Sequence, residues 1–190
     1  MTKRDAVCEA ALELFAEKGI EATTTREIAE RAGAAEGTLY RHFRGKEDLA
    51  HSLYQRCAGE LRERLAAASA PTKPPRARLE ALVRGIFDFF AERPTSCTYL
   101  LTTRSDAEED DDPSRPPLGP FVEVLRDGVE QDAFRAPSVP LTAGWILAMV
   151  QRTVRYLKAG TLDLDEQTSI DRTVDAVLRL VAQEGGESGA

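Results

Sequence analysis

The stretch that decides the fold lies near the start of the chain: TTREIA at residues 24–29, a glycine at 33, GTLYRHF at 37–43 and KEDL at 46–49. Thr24 followed three residues later by Glu27 is a capping-box pattern, and it predicts a helix that runs to about residue 32. Gly33 suits a turn, and a third helix is predicted over residues 35–42. This order is typical of a helix-turn-helix, whose second helix can enter the major groove of DNA.

Apolar residues repeat with helical spacing through most of the chain, and no strand alternation stands out. A first helix should end near Gly19, and Pro71, Pro74 and Pro75 should end the fourth and form a linker. The remaining helices are predicted over the following ranges: 46–69, 79–92, 94–103, 118–132, 141–159 and 165–184. Residues 106–117 combine acidic residues with three prolines and predict a solvated loop, and the Gly/Ser tail predicts disorder. The fold class is therefore all-α, with about nine helices.

Composition narrows the classes of protein. The chain has 190 residues and a net charge of −7, with no apolar run near the ~20 residues of a membrane span. We therefore expect a cytoplasmic protein without membrane contact. Residues 1–70 carry 11 Lys and Arg against 12 Asp and Glu, while residues 41–46 hold three cations and no acid. A phosphate senses that local patch because the Debye length is only ~8 Å at physiological salt.

Cysteines and histidines are sparse. Cys8, Cys57 and Cys97 lie far apart, and the chain has only two histidines. A structural zinc site needs about four ligands at close spacing. We therefore expect ordinary thiols, no metal site and no cofactor.

The order and spacing of these elements resemble the tetracycline-repressor (TetR) family of bacterial transcriptional regulators. The specific part lies within residues 2–50: a phenylalanine four residues before Gly19, TxREIA from Thr24, and GTLYxHFxxKEDL from Gly37. The resemblance implies a homodimer with a DNA-binding head, residues 1–50, and a ligand-sensing and dimerisation body, residues 71–190. The fourth helix, residues 46–69, would link them.

Several residues of this block have side chains suited to DNA. Helix N-termini favour phosphates, which suits Thr24, with Thr25 and Arg26 in the first turn for backbone or base contact. Arg41 can pair with a guanine through two hydrogen bonds. The remaining candidates either donate hydrogen bonds to phosphates or face the groove, and they are Gly37, Thr38, Tyr40, His42 and Lys46.

The sequence departs from the family pattern in two ways. Ala34 and Ala35 stand where a small hydroxyl residue usually caps the third helix, a loss of about 1 kcal/mol of helix stability. Glu36 occupies a position that is often basic or polar. Its carboxylate either points to solvent or accepts a hydrogen bond from a cytosine N4 in the operator.

Bulky residues concentrate in the helices after the proline-rich linker, and some of them could line a cavity for a lipophilic effector. The candidates are Phe87, Phe90, Tyr99, Phe121, Trp145, Met149, Arg152 and Tyr156. Arg152 shares one helical stripe with Trp145, Met149 and Tyr156, so burying it would require a ligand anion, an internal partner or a cross-subunit partner.

The last two helices are apolar on more than one side. Residues 146, 150, 154 and 157 form a second stripe on the eighth helix, and the ninth carries another. A helix with two apolar stripes can pack one of them into the core of its own subunit and the other against a partner subunit. The resemblance implies homodimerisation through these two helices.

The sequence thus predicts a ligand-responsive DNA-binding regulator, most often a repressor in this family. The alternative is a helical small-molecule-binding protein whose head has lost operator affinity, given Ala35 and Glu36. An enzyme is poorly supported because no G-x-S-x-G, H-E-x-x-H or phosphate-loop motif is present.

Overall fold

The structure is a computed structural model that describes residues 2–102 and 118–183. These residues form nine α-helices and contain no strand, which confirms the predicted fold class. The helices are α1 (Lys3–Lys18), α2 (Thr25–Arg31), α3 (Gly37–Tyr40), α4 (Lys46–Ala68), α5 (Pro75–Glu92), α6 (Pro94–Thr102), α7 (Gly119–Glu130), α8 (Val139–Ala159) and α9 (Glu166–Leu180). The predicted loop over 106–117 and the predicted tail lie outside the described residues.

The described part of the chain divides into two compact units. Unit 1 comprises residues 2–60 and 89–102, and unit 2 comprises residues 61–88 and 118–183. The division falls inside α4 and inside α5, so both helices contribute to both units. The functional division at about residue 70 remains a prediction.

Unit 1 is built around α1, whose buried face includes Val7, Ala11 and Phe15. Tyr99 of α6 packs its fully buried ring on Phe15 with 6.0 Å between the ring centroids. Its hydroxyl donates a hydrogen bond of 2.8 Å to the backbone carbonyl of Ala50 in α4. Three helices of unit 1 therefore meet at one tyrosine.

The third helix is shorter than predicted. The prediction placed it over residues 35–42, but α3 spans only Gly37–Tyr40, and its N-cap residue, Glu36, makes no side-chain cap hydrogen bond. Tight turns flank it: Thr38 donates its amide to Ala35 O at 2.8 Å, and His42 donates its amide to Leu39 O at 3.0 Å. The missing hydroxyl cap explains the late start, because free amides of an uncapped helix end are satisfied by such three-residue turns.

The linker prediction also needs a correction. Pro75 is the first residue of α5 rather than part of the linker, because its fixed φ suits the first turn of a helix and its missing N–H is not needed there. The segment before it is held by Arg78, which is buried and donates to Ser69 O at 3.1 Å. Arg78 also forms an ion pair with Asp127 of α7.

Unit 2 packs α8 against α7 and α9. The stripe Ile146, Val150 and Val154 is buried, and so is the facing stripe of α9 that includes Val174 and Val177. At the end of α7 the ring of Phe134 covers Gly128, where a Cβ atom would lie 2.0 Å from Phe134 Cδ2. Only glycine fits that contact.

Candidate nucleic-acid interface

The entry to α2 is a complete capping box, as predicted. The hydroxyl of Thr24 accepts from the amide of Glu27 at 3.2 Å, and the Glu27 carboxylate accepts from the Thr24 amide at 2.8 Å. A 2.6 Å hydrogen bond from Lys18, together with those from Thr24, lowers the pKa of Glu27 to about 2. These contacts hold the start of α2 against α1.

The inner side of the helix-turn-helix is apolar and closed. Ile28 and Ala29 of α2 are buried, as are Leu39 and Phe43 around α3. Gly33 makes the turn with a φ of 59°, in the left-handed region that glycine adopts without strain. This burial fixes which side of α3 faces outward.

The outer side presents the predicted contact residues together. Tyr40 is 56% exposed, Gly37, Arg41 and His42 are also exposed, and Thr38 is partly buried. One aromatic hydroxyl, one guanidinium and one imidazole thus lie within three consecutive positions on the solvent side of the motif. Such side chains can donate to phosphates and to base edges.

The two contact candidates of α2 are engaged with acids. Arg26 donates to Glu30 at 2.8 Å, and Thr25 donates to the Glu36 carboxylate at 2.7 Å. Glu36 is exposed, which fits both alternatives, and its carboxylate has a partner that the sequence did not indicate. That hydrogen bond joins α2 to the start of α3 across the turn.

The start of α4 places further cations beside the motif. Lys46 donates to the Glu21 carbonyl at 3.4 Å, and the Asp48 carboxylate accepts from the Arg44 amide at 2.9 Å. The guanidinium of Arg4 lies 5.4 Å from the centre of the Phe43 ring. The sequence did not indicate this contact, because no local pattern connects Arg4 with Phe43.

The described residues contain no group of histidine, cysteine and acidic side chains arranged to hold a metal ion. All three cysteines are free and buried, and burial raises the pKa of Cys97 to about 12. The Cys97 thiol is therefore protonated at neutral pH. Among the described helices, none is long and apolar enough to cross a membrane.

The effector candidates are divided between the two units. Phe90 and Tyr99 belong to unit 1, where the Tyr99 ring and hydroxyl are both used in packing. The remaining six candidates belong to unit 2: Phe87, Phe121, Trp145, Met149, Arg152 and Tyr156. Of these, only Phe87 and Phe121 are fully enclosed.

The aromatic stripe of α8 faces outward. Trp145 is 44% exposed and Tyr156 is 43% exposed, and Leu141 one turn before Trp145 is exposed as well. Arg152 is also exposed, with its guanidinium 5.6 Å from the centre of the Tyr156 ring. The charge of Arg152 is therefore not buried within the subunit.

A closed apolar inner side, a left-handed glycine turn and an outward face of hydroxyl, aromatic and cationic side chains define a helix-turn-helix DNA-binding protein. Residues 7–53 match the model of the family described as bacterial regulatory proteins, tetR family. Residues 7–53 therefore match the DNA-binding domain of that family, and the chain as a whole is similar to TetR-family regulators.

Similar proteins extend the likeness beyond the motif. The HTH-type transcriptional repressor KstR2 of Mycobacterium tuberculosis is 28% identical over 84% of this chain and 83% of its own length. A tetR-family regulatory protein from Rhodococcus RHA1 has a solved structure that is 25% identical, with a TM-score of 0.80 over 97% of this chain and 99% of its own. The regulator FadR from Bacillus subtilis in complex with stearoyl-CoA has the same fold, with a TM-score of 0.76 at 19% identity over 92% of this chain and 97% of its own.

Proposed function

We propose that this protein is a homodimeric transcriptional repressor that leaves its operator when a lipophilic effector binds. The observation that carries the proposal is the outward face of α3 and of the two residues after it, where Tyr40, Arg41 and His42 are exposed while Leu39 and Phe43 are buried. A recognition helix in a major groove needs an apolar side that packs on the domain core and an outer side that carries hydrogen-bond donors.

Six of the candidate contact residues have a role in this proposal. Arg41 pairs with a guanine, whose two acceptors match its guanidinium. Thr38, Tyr40 and Lys46 donate to phosphates, and those contacts set the register of the head on the duplex without reading sequence. His42 and Arg26 are exposed, and we assign each of them a contact with a groove edge or a phosphate.

Domain roles follow the sequence prediction. Residues 1–50 form the DNA-binding domain, α4 links it onward, and residues 71–190 sense the effector and dimerise. For the dimer contact we assign the outward face of α8, where Leu141, Trp145 and Tyr156 lie at spacings of four and eleven residues on one side of the helix. A partner subunit would cover this exposed apolar surface, and it would pair the two heads that a two-fold operator requires.

The effector is proposed to be a molecule with a long apolar chain. The B. subtilis FadR structure contains stearoyl-CoA, and another structural neighbour is a fatty acid degradation regulator from Bacillus halodurans. The body of this chain offers buried aromatic rings, Phe87 and Phe121, which suit an acyl chain better than a polar ligand.

The test is protection of DNA from the protein's own upstream region, first alone and then with a panel of fatty acids and fatty acyl-CoA thioesters. We expect a protected site with two-fold symmetry and loss of protection with at least one long-chain compound. Protection that every compound leaves intact contradicts effector release. If no DNA is protected at any salt concentration, DNA binding is contradicted. That result favours the alternative, a small-molecule-binding protein that has lost its affinity for an operator.

A further inference from the structure

The hydrogen bond between Thr25 and Glu36 closes the outer side of the turn. Thr25 is the first residue of α2 and Glu36 is the N-cap residue of α3, so the two lie eleven positions apart along the chain. Their side-chain oxygens are 2.7 Å apart. A glutamate side chain has three rotatable bonds, and this contact limits the positions that its carboxylate occupies.

The direction of the Glu36 side chain follows from the helix that it precedes. Glu36 and Tyr40 are four positions apart and therefore lie on one side of the turn. Both are exposed, while Leu39 and Phe43 are buried beneath them. Glu36 thus belongs to the same outward face as the proposed recognition residues.

The chemistry of the pair allows only certain partners. The hydroxyl of Thr25 has one hydrogen, which it donates to Glu36, so its oxygen can otherwise only accept. A carboxylate has about four acceptor sites and no donor, so Thr25 leaves Glu36 with acceptor capacity. The Glu36 carboxylate is therefore a hydrogen-bond acceptor that Thr25 holds in place on the outward side of the turn. It lies beside the hydrogen-bond donors on α3.

Major-groove edges respond to such an acceptor unequally. Cytosine presents an N4 amino donor there, while guanine presents only the acceptors N7 and O6. A carboxylate facing cytosine gains a hydrogen bond, and one facing guanine meets two acceptors and loses its hydration. The same residue would attract one base and reject another, which is how specific sites commonly discriminate.

We propose that Glu36, positioned by Thr25, selects a cytosine at one position of each operator half-site and rejects guanine there. Glu36 is the base-contacting residue, and Thr25 acts through it as a positioning residue. This inference rests on the proposed DNA binding and adds a base preference to it. An accepted hydrogen bond to a cytosine edge corresponds to roughly 5- to 150-fold discrimination against the wrong base.

The experiment selects binding sites from a random DNA pool with the full-length chain. It then measures the affinity for the selected operator and for operators with each C·G pair reversed. Glu36→Gln keeps the shape of the side chain but adds a donor, so it should tolerate guanine. We expect one reversal that weakens wild-type binding about 5- to 150-fold and weakens the binding of this variant by a much smaller factor.

Thr25→Val removes the positioning hydroxyl and keeps the branched shape of the side chain. We expect it to reduce discrimination at the same base pair as Glu36→Gln and at no other. Glu9→Gln makes the same charge change at an exposed position of α1 and serves as the control. It should alter the affinity for all operators by one common factor, because it changes only the overall charge.

The possible outcomes distinguish failure of the base preference from failure of DNA binding itself. If Glu36→Gln tightens binding to every sequence equally, Glu36 is only a repulsive charge and the inference is wrong. If Thr25→Val keeps the wild-type base preference, Thr25 has no positioning role. If the wild-type chain recovers no sequence from the pool, the proposed DNA binding itself fails, and the inference fails with it.

Discussion

Phenylalanine in place of Tyr99 removes one hydroxyl group from the centre of unit 1. The Tyr99 side chain is fully buried, and its hydroxyl donates to the Ala50 carbonyl at 2.8 Å. A buried hydrogen bond of this kind contributes about 1 to 1.5 kcal/mol to stability, and the ring packing against Phe15 is retained in the variant. We expect the free energy of unfolding of Tyr99→Phe to fall by that amount.

Thermal unfolding followed by circular dichroism measures this effect. In a chain of 190 residues, 1 kcal/mol corresponds to roughly 2–4 °C, so the expected fall in Tm is about 2–6 °C. Tyr40→Phe is the matched control, because it deletes the same hydroxyl from a side chain that is 56% exposed. It should leave Tm within about 1 °C and weaken DNA binding instead.

The pair of variants also decides what Tyr99 does. Sequence reasoning placed Tyr99 among the effector candidates, whereas the structure commits both its ring and its hydroxyl to packing within unit 1. An unchanged Tm for Tyr99→Phe, together with weaker effector binding, would refute this structural account. It would return Tyr99 to the ligand site.

Three further variants test other parts of the structure. Gly128→Ala places a Cβ atom 2.0 Å from the Phe134 ring, so Tm should fall by an amount corresponding to about 1–3 kcal/mol, and an unchanged Tm would show that the ring moves aside freely. Glu27 has a pKa lowered to about 2 from 4.5, so its contribution is complete above pH 4.5 and is lost as the pH falls towards 2. The stability advantage of wild type over Glu27→Gln in urea unfolding should therefore be smaller at pH 3 than at pH 6, and an equal advantage at both would contradict it. Trp145→Glu puts a charge on the exposed face of α8. The variant should be a monomer in light scattering, with a Tm no lower than that of the monomeric wild-type chain. A dimer that stays intact would place the interface elsewhere.

The local features were the ones that the sequence predicted well. The capping box of Thr24 and Glu27 depends on residues three positions apart, and the turn at Gly33 depends on one residue. The buried side of the motif follows from the spacing of Ile28 and Leu39 with their neighbours. Such signals need no knowledge of distant packing.

The features that escaped prediction depend on contacts between elements. Both stripes of α8 are apolar, so their pattern does not indicate that the side with Val150 faces the core and the side with Trp145 faces outward. The partner of Glu36 comes from α2 across the turn, and the packing of Tyr99 depends on where α6 meets α1. The short α3 is the exception, because its late start follows from the missing hydroxyl cap before it.

The central claim is that the outward face formed by α3 and the two residues after it binds duplex DNA. The most direct measurement is the affinity of the wild-type chain and of Arg41→Ala for the protected upstream fragment at several salt concentrations. We expect steep salt dependence for wild type, with roughly a 12-fold loss per doubling of salt if each head of a dimer neutralises about two phosphates. Arg41→Ala should weaken binding to this fragment far more than binding to unrelated DNA. A flat, micromolar response that Arg41→Ala does not change would contradict the account.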